Sequence, residues 1–227
     1  MKQILSVISL SIALCVSAIA QNKESRNLDS KINSIEITKG ANVSLIQCDK
    51  NEIEVVTEGC PTSDVITAVK GDVLNVSLRK RTPGSAVRVA LYFTDLQSIK
   101  VKRGATVDTE CLFKHSGTLK LDVGAQSEAQ MDIEVDELDF EGNTCSVKLE
   151  GKAKKQKVRV AGTVGESEYN AEDLESEDVD VRATQTDVKV KFSNSLTAEA
   201  IACTIRYDGD SSKAHKTEKM GGSVEKM

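Results

Sequence analysis

The sequence predicts an all-β chain folded as a β-solenoid with coils of ~20 residues. Three observations carry this reading. Alternating apolar pairs recur at Ile99/Val101, Leu119/Leu121, Leu138/Phe140, Val158/Val160, Val179/Val181 and Leu196/Ala198, at intervals of 20, 19, 20, 21 and 17 residues. A period in the range of roughly 20–50 residues marks stacked supersecondary units rather than one globular core. With no Trp, three Tyr and four Phe, the interior has to be built of Val, Ile, Leu and Ala, which suits the narrow core of a solenoid. Finally, no window supports a helix: the best candidate, Leu174 to Val181, already carries the strand alternation of Val179 and Val181.

Residues 1–20 read as an export signal. Lys2 gives the positive start, Ile4 to Ile19 the apolar stretch, and Ala18-Ile19-Ala20 the small-x-small cleavage pattern, leaving Gln21 as the mature N-terminus. Leu14 before Cys15 argues against lipidation there, where a small residue is required. No later segment reaches the ~18 apolar residues of a membrane helix, so the expectation is an exported protein without a membrane span. Residues 21–33 are polar and aperiodic, and are read as a flexible leader. The remaining 34–227 form one domain.

Strand alternation opens that domain at Ile35-Glu36-Ile37 and Val43-Ser44-Leu45, around the turn chemistry of Thr38 to Asn42. Ile53-Glu54-Val55 follows, then the break Gly59-Cys60-Pro61. Val65 to Val69 and Leu74 to Leu78 flank the turn Lys70-Gly71-Asp72, and Arg79 to Ser85 is a longer excursion before Val87 to Leu91. In the repeat each opening strand meets a small-residue corner, at Gly104-Ala105, Gly124-Ala125, Gly142, Ala161-Gly162, Ala183 and Ala200. A second strand then follows, as at Met131 to Ile133, Val147 to Leu149 and Val188 to Val190.

These strand, small corner, strand units, the export signal and the terminal Gly221-Gly222-Ser223-Val224 resemble the putative autotransporter adhesin, head GIN domain family. The resemblance runs from about Ile35 to Val224. It implies a right-handed parallel β-helix-like fold, an exported Bacteroidetes-like envelope protein, and no catalytic motif to transfer. The corners here read Gly-Ala-Gln, Gly-Asn-Thr, Gly-Thr-Val and Ala-Thr-Gln in place of the family's Gly-Ser-Gly.

The cysteines left after Cys15 are Cys48, Cys60, Cys111, Cys145 and Cys203. Export permits disulfides, and Cys48 with Cys60, in neighbouring strands, is the favoured pair. Cys145 and Cys203 fall three coils apart, ~14 Å at ~4.8 Å per strand, which is too far to bridge; they read as small buried side chains.

A net charge of −5 argues against nucleic acid, which needs a concentrated basic surface. The acidic run Glu166, Glu168, Glu172, Asp173, Glu175, Glu177, Asp178 and Asp180 invites a calcium reading, but lacks the Gly-punctuated spacing of a calcium loop. Register explains it better. Counted from Leu138 and Val158, Lys152 falls against Glu172, Lys155 against Glu175 and Lys157 against Glu177, an opposite-charge ladder that pins neighbouring coils.

His115 and His215 lie in polar stretches without a nucleophile motif and read as solvated loop histidines. A glycan-cleaving β-helix would draw its carboxylates from Asp122, Asp132, Glu134, Asp139 and Glu141, but a chain so poor in aromatic sugar platforms favours binding over cleavage. The expectation is therefore a non-enzymatic envelope protein, an adhesin or a binding and structural module. Its partner would be a surface glycan or protein, with possible homo-oligomers and no cofactor, metal or assigned site residue. It would sit in the periplasm, on the cell surface or outside the cell. Polar Asp208 to Lys219 is expected to cover one open end of the stack.

Overall fold

The computed structural model describes residues 21–28, 30–163 and 167–227. The export signal with Cys15, as well as Val164 of one corner and Glu166 of the acidic run, lies outside the described residues. The described chain opens with nine strands, and from the second onward polar and apolar residues alternate: β1 (Gln21–Asn27), β2 (Ser34–Thr38), β3 (Asn42–Gln47), β4 (Glu52–Glu58), β5 (Val65–Lys70), β6 (Val73–Leu78), β7 (Ala86–Phe93), β8 (Ser98–Lys102) and β9 (Thr106–Thr109). The long strands β10 (Phe113–Ala161) and β11 (Glu168–Thr184) follow, and then β12 (Asp187–Lys191), β13 (Ser195–Ile201), β14 (Thr204–Asp208), β15 (Ala214–Lys219) and β16 (Ser223–Lys226). Single 3₁₀ turns occur at Thr62–Asp64 and Ser211–Lys213.

The right-handed parallel β-helix-like solenoid expected from the repeat is not the architecture. All sixteen strands belong to one mixed sheet that curls into a half-barrel. β1 runs antiparallel to β4, β4 to β7, and β5 to β6, whereas the other pairings are parallel. The β5–β6 turn shows why: Gly71, at φ 65°, closes a connection too short for anything but an antiparallel hairpin. A recurring spacing determines which segments become neighbours, as in Val158↔Val181 and Leu121↔Ile99. It does not determine strand direction in the N-terminal region or how far the sheet closes.

Curvature is concentrated at corners where residues sit in the left-handed region. Gly104 and Ala125 are such corners, as the sequence indicated. Near Gly142, Ala183 and Ala200 the left-handed residue comes two positions later, at Thr144 (φ 48°), Gln185 (φ 52°) and Ala202 (φ 53°). The inward residues of successive strands fill one continuous core, from Ile35 and Ile37 to Tyr207 and Val224. The four Phe and two of the Tyr are part of that core, in the pairs Phe93–Phe113, Phe140–Tyr169 and Phe192–Tyr207, with ring centroids 5.6, 4.6 and 5.8 Å apart.

Residues Gln21–Asn27, expected to be part of a flexible leader, form β1 and pair with β4 from Gln21↔Glu58 to Asn27↔Glu52. The strand has no apolar face for alternation to reveal, because polar contacts hold it. The Arg26 guanidinium donates to the carbonyls of Val65 (2.9 Å) and Thr62 (3.0 Å) and to Thr67 Oγ1 (2.9 Å), while Glu24 grips its other edge at 2.8 Å. At the opposite end Lys216 Nζ donates to the Val224 carbonyl and Glu218 accepts from Val224 N–H, so inward-turned charges cover the last core layer and blunt the edge. Cys48 and Cys60, the favoured disulfide pair, are free thiols. Cys145 is buried, and burial pushes its thiol up to about 11, which makes it an unreactive core side chain.

Two predictions follow from this geometry. Thr144 is β-branched in the left-handed region, so Thr144→Gly should raise stability by about 0.5–1 kcal/mol, read as a higher Tm. Hydrogen bonding to Arg26 lowers the Glu24 carboxyl from 4.5 to about 2. Its contribution is therefore fully present above pH 4.5 and is lost as pH falls through about 2. Arg26→Ala should lower Tm at pH 7 and flatten the decline in Tm between pH 4.5 and 2.

Candidate functional site

Five neighbouring passes of the sheet each present a three-residue step whose central side chain turns inward. These are Lys114-His115-Ser116, Glu134-Val135-Asp136, Lys152-Ala153-Lys154, Glu175-Ser176-Glu177 and Lys191-Phe192-Ser193. The strand period of two places the central residues on the floor and their neighbours on two rims. Small side chains at Ala153 and Ser176, which are directly paired, leave the floor low. The result is a groove of about 860 Å³ running across the strands.

Charge alternates along both rims. One carries Lys114, Glu134, Lys152, Glu175 and Lys191, and the other Asp136, Lys154 and Glu177. Lys114 bridges Glu134 at 2.6 Å, Lys152 bridges Glu175 at 3.7 Å and Lys154 bridges Asp136 at 2.5 Å. The Lys114 ammonium holds the Glu134 carboxyl below the usual carboxylate range, and Lys154 does the same to Asp136 while its own ammonium is pushed up. Both carboxylates are thus ionised at neutral pH, and neither is poised to donate a proton.

The floor is braced from beneath. Tyr169 Oη donates to Gln156 Oε1 at 3.0 Å, and Gln156 Nε2 donates to Ser176 Oγ at 2.5 Å. Ser193 N–H in turn donates to the Ser176 carbonyl at 2.9 Å. Tyr169 and Gln156 are buried, and burial pushes the Tyr169 phenol far up, so the network is neutral. At one end of the floor His115 Nδ1 lies 2.7 Å from Asp95 Oδ1.

His115 is therefore not the solvated loop histidine that its polar neighbours implied: it belongs to β10 and its side chain is 8% exposed. The signal that could have found its partner is the spacing, because Asp95 lies 20 residues upstream, one interval of the apolar pattern. His215 is exposed on β15. The lysine-to-acid ladder is present three residues away from the expected register, as Lys152↔Glu175, Lys155↔Asp178 and Lys157↔Asp180. A register irregularity between Lys148 and Glu150 contributes to this shift. Glu172 instead lies 3.7 Å from Lys189.

The five carboxylates weighed for glycan cleavage are dispersed. Glu134 lies on the groove rim, while Asp122, bridged to Lys102 at 2.8 Å, and Glu141 line a second groove of about 410 Å³. Asp139 lies 3.9 Å from Lys157, and Asp132 lines neither groove. No helix among the described residues is long and apolar enough to cross a membrane. Nor do the described residues bring together three or more His, Cys, Asp or Glu side chains suited to a metal ion.

The described residues thus form a curled all-β sheet whose main groove is lined by a ladder of alternating charge. The chain belongs to the putative auto-transporter adhesin, head GIN domain family, which matches residues 32–211. Its fold is similar to that of a putative adhesin from Bacteroides fragilis, at 17% identity and a TM-score of 0.78, covering 92% of this chain and 97% of that one. A putative adhesin from Parabacteroides merdae is similar at 16% identity and a TM-score of 0.66, with 91% and 96% covered. A putative lipid binding protein from Parabacteroides distasonis is similar at 15% identity and a TM-score of 0.63, with 91% and 97% covered. Comparison with curated proteins gave no match.

The brace under the floor should matter more than the rims for stability. Tyr169→Phe leaves a buried Gln156 acceptor unpaired and is expected to cost about 1–3 kcal/mol, whereas Lys154→Ala removes an exposed, water-screened ion pair and should cost clearly less. Urea denaturation of the two variants measures the difference.

Proposed function

We propose that the protein is an exported, non-enzymatic binding module of the cell envelope that holds an extended surface partner, a glycan or a protein segment, in the groove over Ala153 and Ser176. The observation that carries this reading is the groove itself: a low floor between two rims of alternating charge. Its volume of about 860 Å³ falls within the range of roughly 300–1,000 Å³ typical of ligand sites. Alternating charges give a partner fixed register at little cost in net field, which favours specificity over bulk attraction.

Family membership and similarity in fold to putative adhesins support the adhesive reading, and the export signal read at residues 1–20 supports an envelope or extracellular location. Glycoside cleavage is the poorer fit. That chemistry needs one carboxyl with a raised pKa beside an ionised one, and the groove's Glu134 and Asp136 are both held low by lysines.

The test is a panel of bacterial and host glycans and extended peptides, presented to the native protein and to Lys152→Glu, with light scattering to follow assembly. The reading expects one partner class to bind without turnover and to lose at least tenfold in affinity in Lys152→Glu, which sets like charges against Glu134 and Glu175. Binding indifferent to that change would move the partner elsewhere. A stable multimer that ignores every partner would favour a purely structural envelope role.

A further inference from the structure

The second groove carries an irregularity of its own. Along β10 and β11 the ladder sets opposite charges together at Lys152↔Glu175, Lys155↔Asp178 and Lys157↔Asp180, but two residues further on it sets Arg159 against Arg182. Like charges directly opposite in a sheet repel, as at Glu150↔Asp173 on the same two strands; the arginine pair differs in that both side chains line one groove. Both arginines line the 410 Å³ groove.

Each guanidinium is held in place by an acid outside the groove lining. Arg159 Nη2 bridges Asp180 at 2.8 Å, and Arg182 Nε lies 3.4 Å from Glu199. That leaves both terminal nitrogens of Arg182 without an acceptor among the described residues. Arg159 Nη1 also donates to the Val158 and Asp180 carbonyls, so Arg182 presents the open fork, with Arg159 beside it in the same lining; a planar carboxylate is the group that such a fork matches. Beside them the groove offers the Asn143 amide, the Thr184 hydroxyl and the Glu141 carboxylate, which has no ion pair among the described residues. Gly142 and Ala161 keep that stretch of the lining low. These are partners for hydroxyl groups.

We propose that this groove binds an acidic sugar, taking the carboxylate of a uronate unit between Arg159 and Arg182 and its hydroxyls on Asn143, Thr184 and Glu141. The acids Asp122, Glu141, Asp180 and Glu199 keep the local field from becoming strongly positive. A polyanion such as nucleic acid or polyphosphate is disfavoured, while a single carboxylate set among hydroxyls is matched. The site lies apart from the Lys152 groove and does not depend on what that groove holds.

The experiment is calorimetric titration of the purified protein with a galacturonic-acid trisaccharide, with neutral galactotriose, inorganic sulfate and a short peptide bearing a free C-terminal carboxylate as competitors. Arg182→Gln, Arg159→Gln and Lys152→Glu are titrated alongside, each with its Tm. The expected result is uronate binding that falls at least tenfold in both arginine variants, is unchanged in Lys152→Glu, and is not displaced at equal concentration by any competitor. Arg182→Gln should leave Tm near the native value, because relief of the repulsion offsets loss of the exposed Glu199 contact. Absence of uronate binding, binding unchanged in either arginine variant, or equal displacement by sulfate or the peptide would overturn the proposal.

Discussion

The structure depends on parallel backbone pairing between chain segments separated by about one apolar interval, of which Val158↔Val181 and Val188↔Ile205 are examples. In a parallel ladder every residue stands beside its counterpart on the next strand, so inward positions stack on inward positions and charges stack on charges. One sequence pattern thereby shapes both faces. Val, Leu, Ile and Ala columns make the interior, and the same register aligns lysines with acids on the exterior.

The exterior ladders explain how so polar a sheet keeps its alignment. An exposed pair such as Lys102–Asp122 adds little stability, since its Coulomb gain is screened by water. Its larger effect is on register, because a slip by one strand position would turn the apolar residues outward, and a slip by two would disturb the matched charges. Both grooves lie over small residues in this scheme: Ala153 and Ser176 in one, Gly142 and Ala161 in the other. Both proposed sites thus lie where the regular pattern of the sheet is locally altered.

The two ends meet a different requirement, since a sheet of stacked strands exposes unpaired backbone at its first and last members. The N-terminal end is secured by Arg26, which ties β1 to β5 and the turn before it, and the C-terminal end by Lys216 and Glu218 turned over Val224. In both places charged side chains satisfy backbone groups that a neighbouring chain would otherwise claim.

Alternation at Ile35/Ile37, Val43/Leu45 and the later apolar pairs made the all-β class, the buried face of each strand and the lysine-to-acid ladder legible without coordinates, because side-chain period and apolar character are local properties. Family membership was legible too, in the strand and corner pattern. β1 was not, since a strand held by Arg26 and Glu24 has no apolar face to read, and His115 looked solvated until Asp95 was placed beside it. Strand direction in the N-terminal region, the closure of the sheet to a half-barrel and the three-residue offset of the ladder depend on turn geometry and on a single irregularity near Leu149. So do the grooves, because a concave surface is made by residues from five separate strand passes, and only the accumulated curvature of the sheet decides that their side chains face one another.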